Sequence, residues 1–222
     1  MKKAEPSLHI VVAITSVAAF LNLDKKPIIV RTMQQVKLFT DSLSQAVEVS
    51  IALAPELEDE LDTCLKGTSF QFLKIFCNPN DSVELMHAIA ELARKVELVL
   101  VHDSNRPLTN PAQFLRVLNA IDERVDAVRP LDKFTETIKV INSNSEIVST
   151  IDRSKVMHVK SPEVYKTSKI DIDGEIFGWF LPLRIGSQLA SVEADPVSLR
   201  INSEEERDLV ESLLHWQQTT SL

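Results

Sequence analysis

Leu98-Val99-Leu100-Val101-His102-Asp103-Ser104-Asn105-Arg106-Pro107 is the stretch that decides the fold. An unbroken apolar run stops abruptly at a cluster of charge. It reads as a buried parallel strand that delivers an acid and a base to the carboxyl edge of a sheet. Open α/β sheets bind ligands at that edge, and a carboxylate there is placed to hold a divalent metal or orient a substrate. The same ten residues also read as a strand whose polar end meets solvent, with Asp103 and Arg106 paired as a turn clamp.

Outward from this run, short β-rich segments alternate with amphipathic ones. Leu8 to Ala13, Val47 to Leu53, Phe70 to Phe76, Val96 to Val101 and Val125 to Val128 read as strands, most of them apolar on both faces. Helices are expected over Pro27 to Phe39, Pro55 to Leu65, Asp81 to Lys95 and Pro111 to Arg124. Asn80 or Asp81, and then Asn110 ahead of Pro111, are suitable N-caps for the last two. Such alternation implies parallel strands joined by right-handed crossovers, hence a layered α/β/α architecture.

The pattern changes after Pro130. Thr137 to Ile141 and Ile147 to Ile151 flank Asn142-Ser143-Asn144-Ser145 and read as a hairpin with a polar turn. Two strands alone are marginal, so the hairpin must lean on the main body or on a second subunit. A short strand near Met157 to Val159, a helix from about Ser161 and an apolar segment from Ile176 to Ile185 are expected next. A strand pair near Leu189 to Val192 and Val197 to Ile201 follows. Ser203-Glu204-Glu205-Glu206 then opens a C-terminal helix as a capping box, with Leu209, Val210, Leu213 and Leu214 on one face.

Composition narrows the function. A chain of 222 residues suits one large domain spanning 1–222, able to bury about 70% of its unfolded surface. Its two cysteines, Cys64 and Cys77, lack paired spacing to any histidine, which argues against a disulfide framework or a zinc site and favours a cytoplasmic setting. A net charge of −8 argues against nucleic-acid binding, which demands a clustered basic face. The apolar run from Ile10 to Leu21 is too short to span a bilayer and is expected to be core rather than a targeting segment. His87, His102, His158 and His215 show no metal-ligand spacing, and His9 enters the first strand. Trp179 with Phe177 and Phe180 suits either a core or a cleft wall.

Several short motifs, taken in order, resemble the 2-C-methyl-D-erythritol 4-phosphate cytidylyltransferase family of the non-mevalonate isoprenoid pathway. Val99 to Asp103 with Arg106-Pro107 resembles that family's strand and metal-binding aspartate. Glu136-Thr137-Ile138-Lys139 is similar to its Asp-Thr-Ile/Met-Lys, and Thr150-Ile151-Asp152-Arg153 to its Thr-Val-Asp-Arg. Ser161-Pro162-Glu163 stands where the family has Thr-Pro-Gln, and Ser82-Val83 matches a pair that opens a helix beside the nucleotide. The resemblance implies a three-layer nucleotide-diphospho-sugar-transferase-like (glycosyltransferase-A-like) fold with a projecting β-arm at about 132–154. It implies catalytic roles for Asp103 and Arg200, the latter in place of a family lysine, and a substrate-binding role for Thr137, Arg153, Ser82 and Arg106. Asp103 and Asp195 become the metal-associated aspartates, with Mg2+ the cofactor if the protein is active.

The departures carry equal weight. The family's first strand leads into a glycine-rich loop with an arginine and, further on, a lysine around the triphosphate, where backbone amides and positive charge do the binding. Here that segment is Ala13-Ile14-Thr15-Ser16-Val17-Ala18-Ala19-Phe20-Leu21-Asn22, with no glycine and no cation. It is expected to pack as a turn or helix, with Val17, Phe20 or Leu21 filling the triphosphate volume. At the cytosine end, Phe76 replaces a glycine. The expectation is a degenerate cytidylyltransferase-like protein with impaired CTP binding, acting as a structural or regulatory partner. Its assembly would be a homodimer through the 132–154 arm or a heterodimer with an active paralogue. Neither nucleic acid nor membrane is an expected partner, and a small phosphorylated ligand is compatible with the cleft. The alternative is an active nucleotidyltransferase that reaches the triphosphate through Lys25, Lys26 and Arg31 and makes 4-diphosphocytidyl-2-C-methyl-D-erythritol.

Overall fold

The computed structural model describes residues 6–174 and 178–220. Chain order runs β1 (Leu8–Ala13), β2 (Asn22–Leu23), β3 (Lys26–Pro27), α1 (Ile28–Asp41), β4 (Glu48–Leu53), α2 (Glu58–Leu65), β5 (Leu73–Phe76), α3 (Ser82–Ala93) and β6 (Leu98–Asp103). It continues through α4 (Pro111–Asn119), β7 (Ala127–Lys133), β8 (Ile138–Ile141), β9 (Ile147–Ile151), β10 (Met157–Val159), β11 (Glu163–Lys166), β12 (Leu189–Glu193) and α5 (Glu204–Thr220).

The main sheet is mixed. β5, β4, β1 and β6 lie side by side in parallel, and β11 inserts antiparallel between β6 and β7. β10 pairs antiparallel with the far end of β7, and β12 runs parallel to it. Helices cover both faces because β1 and β6 alternate apolar side chains to either side. Leu8, Ile10, Val12, Leu98 and Leu100 pack with Met33, Val36 and Phe39 of α1, Leu61 and Leu65 of α2, and Phe114 and Val117 of α4. Val11, Ala13, Val99 and Val101 pack on the opposite face with Leu85 and Ile89 of α3 and with Leu181 and Leu183.

Local chemistry sets the helix starts. Asp81 accepts from Val83 N and Glu84 N at the head of α3, and Asn110 accepts from Gln113 N ahead of Pro111 in α4. At α5 the hydroxyl of Ser203 accepts from Glu206 N while the Glu206 carboxylate accepts from Asn202 N, a reciprocal cap.

Four expectations are corrected. The segment from Ser161 is not a helix but leads into β11, where Val164 and Tyr165 enter opposite cores. Val197 to Ile201 forms no strand: it is a turn closed by Asp195, which accepts from Val197 N and Ser198 N. α4 ends at Asn119, since Asp122 accepts from Arg124 N and Val125 N and caps a separate turn. On α5, Val210 is buried but Leu209 is 69% exposed and so leaves the packed face. The Ile176 to Ile185 segment lies partly outside the described residues, and its described part supplies Leu181 and Leu183 to the core.

The hairpin β8–β9 forms a sheet of its own. Asn142 Oδ1 accepts from Asn144 N and Glu146 N, and Ser145 takes a left-handed conformation with φ of 63° to close the turn. Ile141, Ile147 and Val148 stand well exposed on it.

Candidate functional site

β6 carries Asp103 to the carboxyl edge of the sheet, where the carboxylate is almost fully buried. A cleft of about 270 Å³ opens over it. The cleft gathers Ser82 at the head of α3, Arg106 from the turn after β6, Lys160 between β10 and β11, and Arg200 from the segment before α5. Glu163, Trp179 and Phe180 form its other wall.

Both oxygens of Asp103 are engaged. Oδ1 accepts from Thr15 Oγ1 at 2.9 Å and from Asn105 N at 3.1 Å. Oδ2 accepts from Arg200 Nε at 2.7 Å, with Arg106 Nε 3.8 Å away. The Asp103–Arg106 turn clamp read from the decapeptide is therefore present, and Arg200 is the closer cation. The Arg200 fork is pinned further: Nη2 donates to Thr15 Oγ1 at 2.9 Å, and Nη1 to Asn202 Oδ1. Arg106 donates to Ser198 O at 2.8 Å and Val159 O at 3.2 Å. Burial pulls the Arg106 guanidinium below its ordinary value, Asp103 opposing and Arg200 adding to the effect; an arginine stays charged in any such setting. Lys160 Nζ is held by Asp132 at 3.1 Å and by Asp195 O at 3.2 Å.

The loop after β1 is closed on itself. Val17–Phe20 forms one 3-10 turn, with Ser16 accepting from Ala18 N. Ala19 N donates to Ser16 O and Leu21 N to Ala18 O, so these amides serve the turn. Asn105 Nδ2 reaches Ser16 Oγ at 2.6 Å, and Asn80 Nδ2 reaches Thr15 O at 2.9 Å, which ties the turn to the cleft rim. Ala18 and Ala19 are buried, while Phe20 and Leu21 pack against the cores. Of the three apolar side chains named as alternatives for filling this volume, Val17 is 66% exposed.

Other sequence-derived residues lie elsewhere. Asp195 is outside this cleft, its carboxylate accepting from Asn110 Nδ2 and Val197 N. Thr137 and Arg153 belong to the arm region, where Arg153 donates to Thr135 O, and neither lines the cleft. Arg31 donates to Leu23 O at 2.7 Å and pairs with Asp24 at 2.9 Å, clamping the β2–β3 turn. Lys25 and Lys26 sit in that turn and strand and also do not line the cleft. The α3 cap is Asp81, which leaves the Ser82 side chain at the cleft.

A buried network went unread in the sequence. Arg129 of β7 lies 3.7 Å over the Trp179 ring and donates to Glu163 and to Gly178 O. Tyr165 OH and Phe180 N donate to the other oxygen of Glu163. Burial pushes the Glu163 carboxyl above its ordinary value while Arg129 pulls it back, and the Tyr165 hydroxyl is pushed well up by burial and by Glu163. The motif Ser161-Pro162-Glu163 was the available signal; Arg129 had none. Phe177 lies outside the described residues.

A divalent metal does not fit this donor set. The Asp103 oxygens already accept protein donors, a guanidinium covers Oδ2, and Glu163 is consumed by Arg129 and Tyr165. Among the described residues, three potential metal ligands come together at Asp24, Glu211 and His215, none of which lines the cleft.

Comparison with known proteins bears directly on this arrangement. Residues 13–172 match the family model of 2-C-methyl-D-erythritol 4-phosphate cytidylyltransferase, IspD. The chain belongs to this family. The cytidylyltransferase of Saccharopolyspora erythraea is 31% identical over 60% of this chain and 63% of its own length. That of Desulforamulus reducens is 25% identical, and the chain spans 62% of its length. That of Endomicrobium trichonymphae is 22% identical over 88% of this chain and 89% of its own. The chain thus spans just under two thirds of the first two relatives. The fold is shared with the crystal structure of 4-diphosphocytidyl-2C-methyl-D-erythritol synthase from Anaerococcus prevotii, at a TM-score of 0.76 and 15% identity, covering 95% of this chain and 99% of that one. The Thermus thermophilus cytidylyltransferase superposes with a TM-score of 0.70 at 19% identity, over 93% and 98% of the two chains.

Proposed function

We propose that this chain is a cytidylyltransferase-family protein of isoprenoid metabolism that does not position CTP and acts as a structural or regulatory partner. The carrying observation is the turn at residues 13–22, whose Ala18, Ala19 and Leu21 amides are spent on its own closure. Phosphate capture at such a loop depends on free amides and on positive charge. Ser16 to Asn22 contains no cation, and Lys25, Lys26 and Arg31 are not at the cleft. Phosphoryl transfer rests on positioning and charge neutralisation, with one well-placed cation commonly giving ~10³ to 10⁵ in rate. Losing that environment removes much of the chemistry.

The proposed assembly is a homodimer through the arm at 132–154, or a heterodimer with an active paralogue, in the cytoplasm. Exposed Ile141, Ile147, Val148 and Ile151 support it, since such strand surface is unfavourable in a soluble monomer. Pairing would carry Thr137 and Arg153 toward a partner's cleft. Light scattering at micromolar concentration tests this, and a monomer indistinguishable from an arm-deleted variant leaves only the paralogue. The active alternative is favoured by one observation: Ser82, Asp103, Arg106 and Arg200 converge on a single cleft. Calorimetric titration with CTP separates the readings. Affinity no better than about millimolar, worth ~4 kcal/mol, is expected; micromolar binding lost in Asp103→Ala establishes the active reading.

A further inference from the structure

We infer that Arg200 is a resident counter-cation of Asp103, standing where a divalent metal would otherwise sit, and that the cleft takes a phosphate-bearing ligand without metal. This goes beyond the preceding proposal and holds whether or not CTP binds.

The first step is coordination. A magnesium-like ion needs oxygen donors at about 2.1 Å in near-octahedral array and sheds its water reluctantly. Three of the roughly four acceptor sites of Asp103 are taken, two on Oδ1 by Thr15 and Asn105 and one on Oδ2 by Arg200 Nε at 2.7 Å, and what remains of Oδ2 lies between Arg200 and Arg106. Arg200 is itself immobilised, with its fork shared among Asp103, Thr15 and Asn202. Thr15 closes the loop of contacts by donating to Asp103 and accepting from Arg200. Displacing the guanidinium would break three hydrogen bonds together and leave a dication beside Arg106.

The second step is charge. A guanidinium carries five N–H donors, and the three hydrogen bonds of Arg200 leave one donor on each terminal nitrogen. Its side chain remains 34% exposed at the cleft. Arg106 also lines the cleft, with two of its donors used on backbone carbonyls. Lys160 lies there too, but its charge is met by Asp132 at 3.1 Å. On the other wall Glu163 is neutralised by Arg129, so with Arg200 paired to Asp103 and Lys160 to Asp132 the cleft keeps the charge of Arg106 in excess. An anion with several oxygens, as in a phosphomonoester, matches two planar forks, whereas a cation entering the same cleft meets them as repulsion.

The experiment uses Mn2+ as probe, read by loss of the free-ion signal in electron paramagnetic resonance, on the full chain. Wild type is expected to retain no Mn2+ at micromolar concentrations, Arg200→Gln to retain one equivalent, and Arg200→Gln with Asp103→Asn to retain none. Mn2+ retained by wild type and released by Asp103→Asn overturns the inference, as does failure of a folded Arg200→Gln to gain the ion. Should that variant not fold, wild type alone suffices: inorganic phosphate is titrated calorimetrically in EDTA and in excess Mg2+. Affinities within twofold of each other support metal-free binding. A tenfold tightening by Mg2+, or no binding in EDTA, refutes it. Tight CTP binding in EDTA would sink the proposal of impaired CTP binding while leaving this inference standing.

Discussion

Acidification below neutrality should destabilise this protein through one imidazole. His102 on β6 is fully buried, with its ring 4.8 Å from that of Phe114. Ser161 Oγ accepts from Asp103 N at 3.1 Å and lies 2.9 Å from His102 Nδ1, so its proton is directed at Nδ1. The imidazole proton is then assigned to Nε2, which has no well-formed hydrogen bond. Burial drives the His102 pKa from 6.5 down to about 4, against the opposing charge of Asp103. Between those two values the unfolded chain binds more protons than the native one. The contribution is therefore fully present above pH 6.5 and is lost as pH falls through about 4. The gap amounts to roughly 3 kcal/mol, most of which is gone by pH 4.5. Against a total stability of about 5–15 kcal/mol, that is a large loss. Urea unfolding of wild type and His102→Leu at several pH values isolates it, because the leucine leaves Ser161 with an unmet donor at every pH and so adds an offset, not a slope. Asp126 and Asp132, whose carboxyl pKa values are lowered in the fold, also lose stability in acid, but equally in both proteins. Wild type should lose about 2–3 kcal/mol more than the variant between pH 7 and 4.5. Curves parallel to within about 0.5 kcal/mol would refute the reasoning.

Phe114→Ala should cost about 3–5 kcal/mol in urea unfolding, because its ring is fully buried and stacks 5.1 Å from Phe39; a loss under about 1 kcal/mol would mean that the α1–α4 seam repacks. Glu163→Ala should cost about 3–5 kcal/mol by leaving Arg129 buried and unpaired. It should also change Trp179 fluorescence, and an unaltered emission spectrum would show that the cation over the indole is held by other means.

The central architecture was readable because β1 and β6 are apolar at most positions, His9, His102 and Asp103 excepted, and Asp81 and Asn110 announce their helices. Ser161-Pro162-Glu163 misled for a physical reason: a side chain able to cap, followed by proline, is also a helix start, as Asn110-Pro111 proves to be. What overrides it is non-local, the unfilled hydrogen-bonding edges of β6 and β7 on either side of β11. Asp103, Arg106, Ser82 and Arg200 were identifiable from family-like motifs, but their engagement was not. Which donors reach Asp103 depends on Thr15 and Arg200 arriving from opposite ends of the chain. Arg129 was invisible for a similar reason, since its meaning lies in Trp179 and Glu163 on neighbouring segments.

The clamp on Asp103 also has a place in time. Asp103 and Arg200 are 97 residues apart, and proteins dominated by such distant pairings fold slowly. As the chain leaves the ribosome, β6 can zip onto β1 early, yet its other neighbour waits for residues 163–166 and its guanidinium for residue 200. Throughout that interval β6 is an open edge ending in a carboxylate that still lacks Arg200, and charge at an edge discourages strands of other nascent chains from adding there. The same aspartate thus guards the half-made sheet before it anchors the finished cleft.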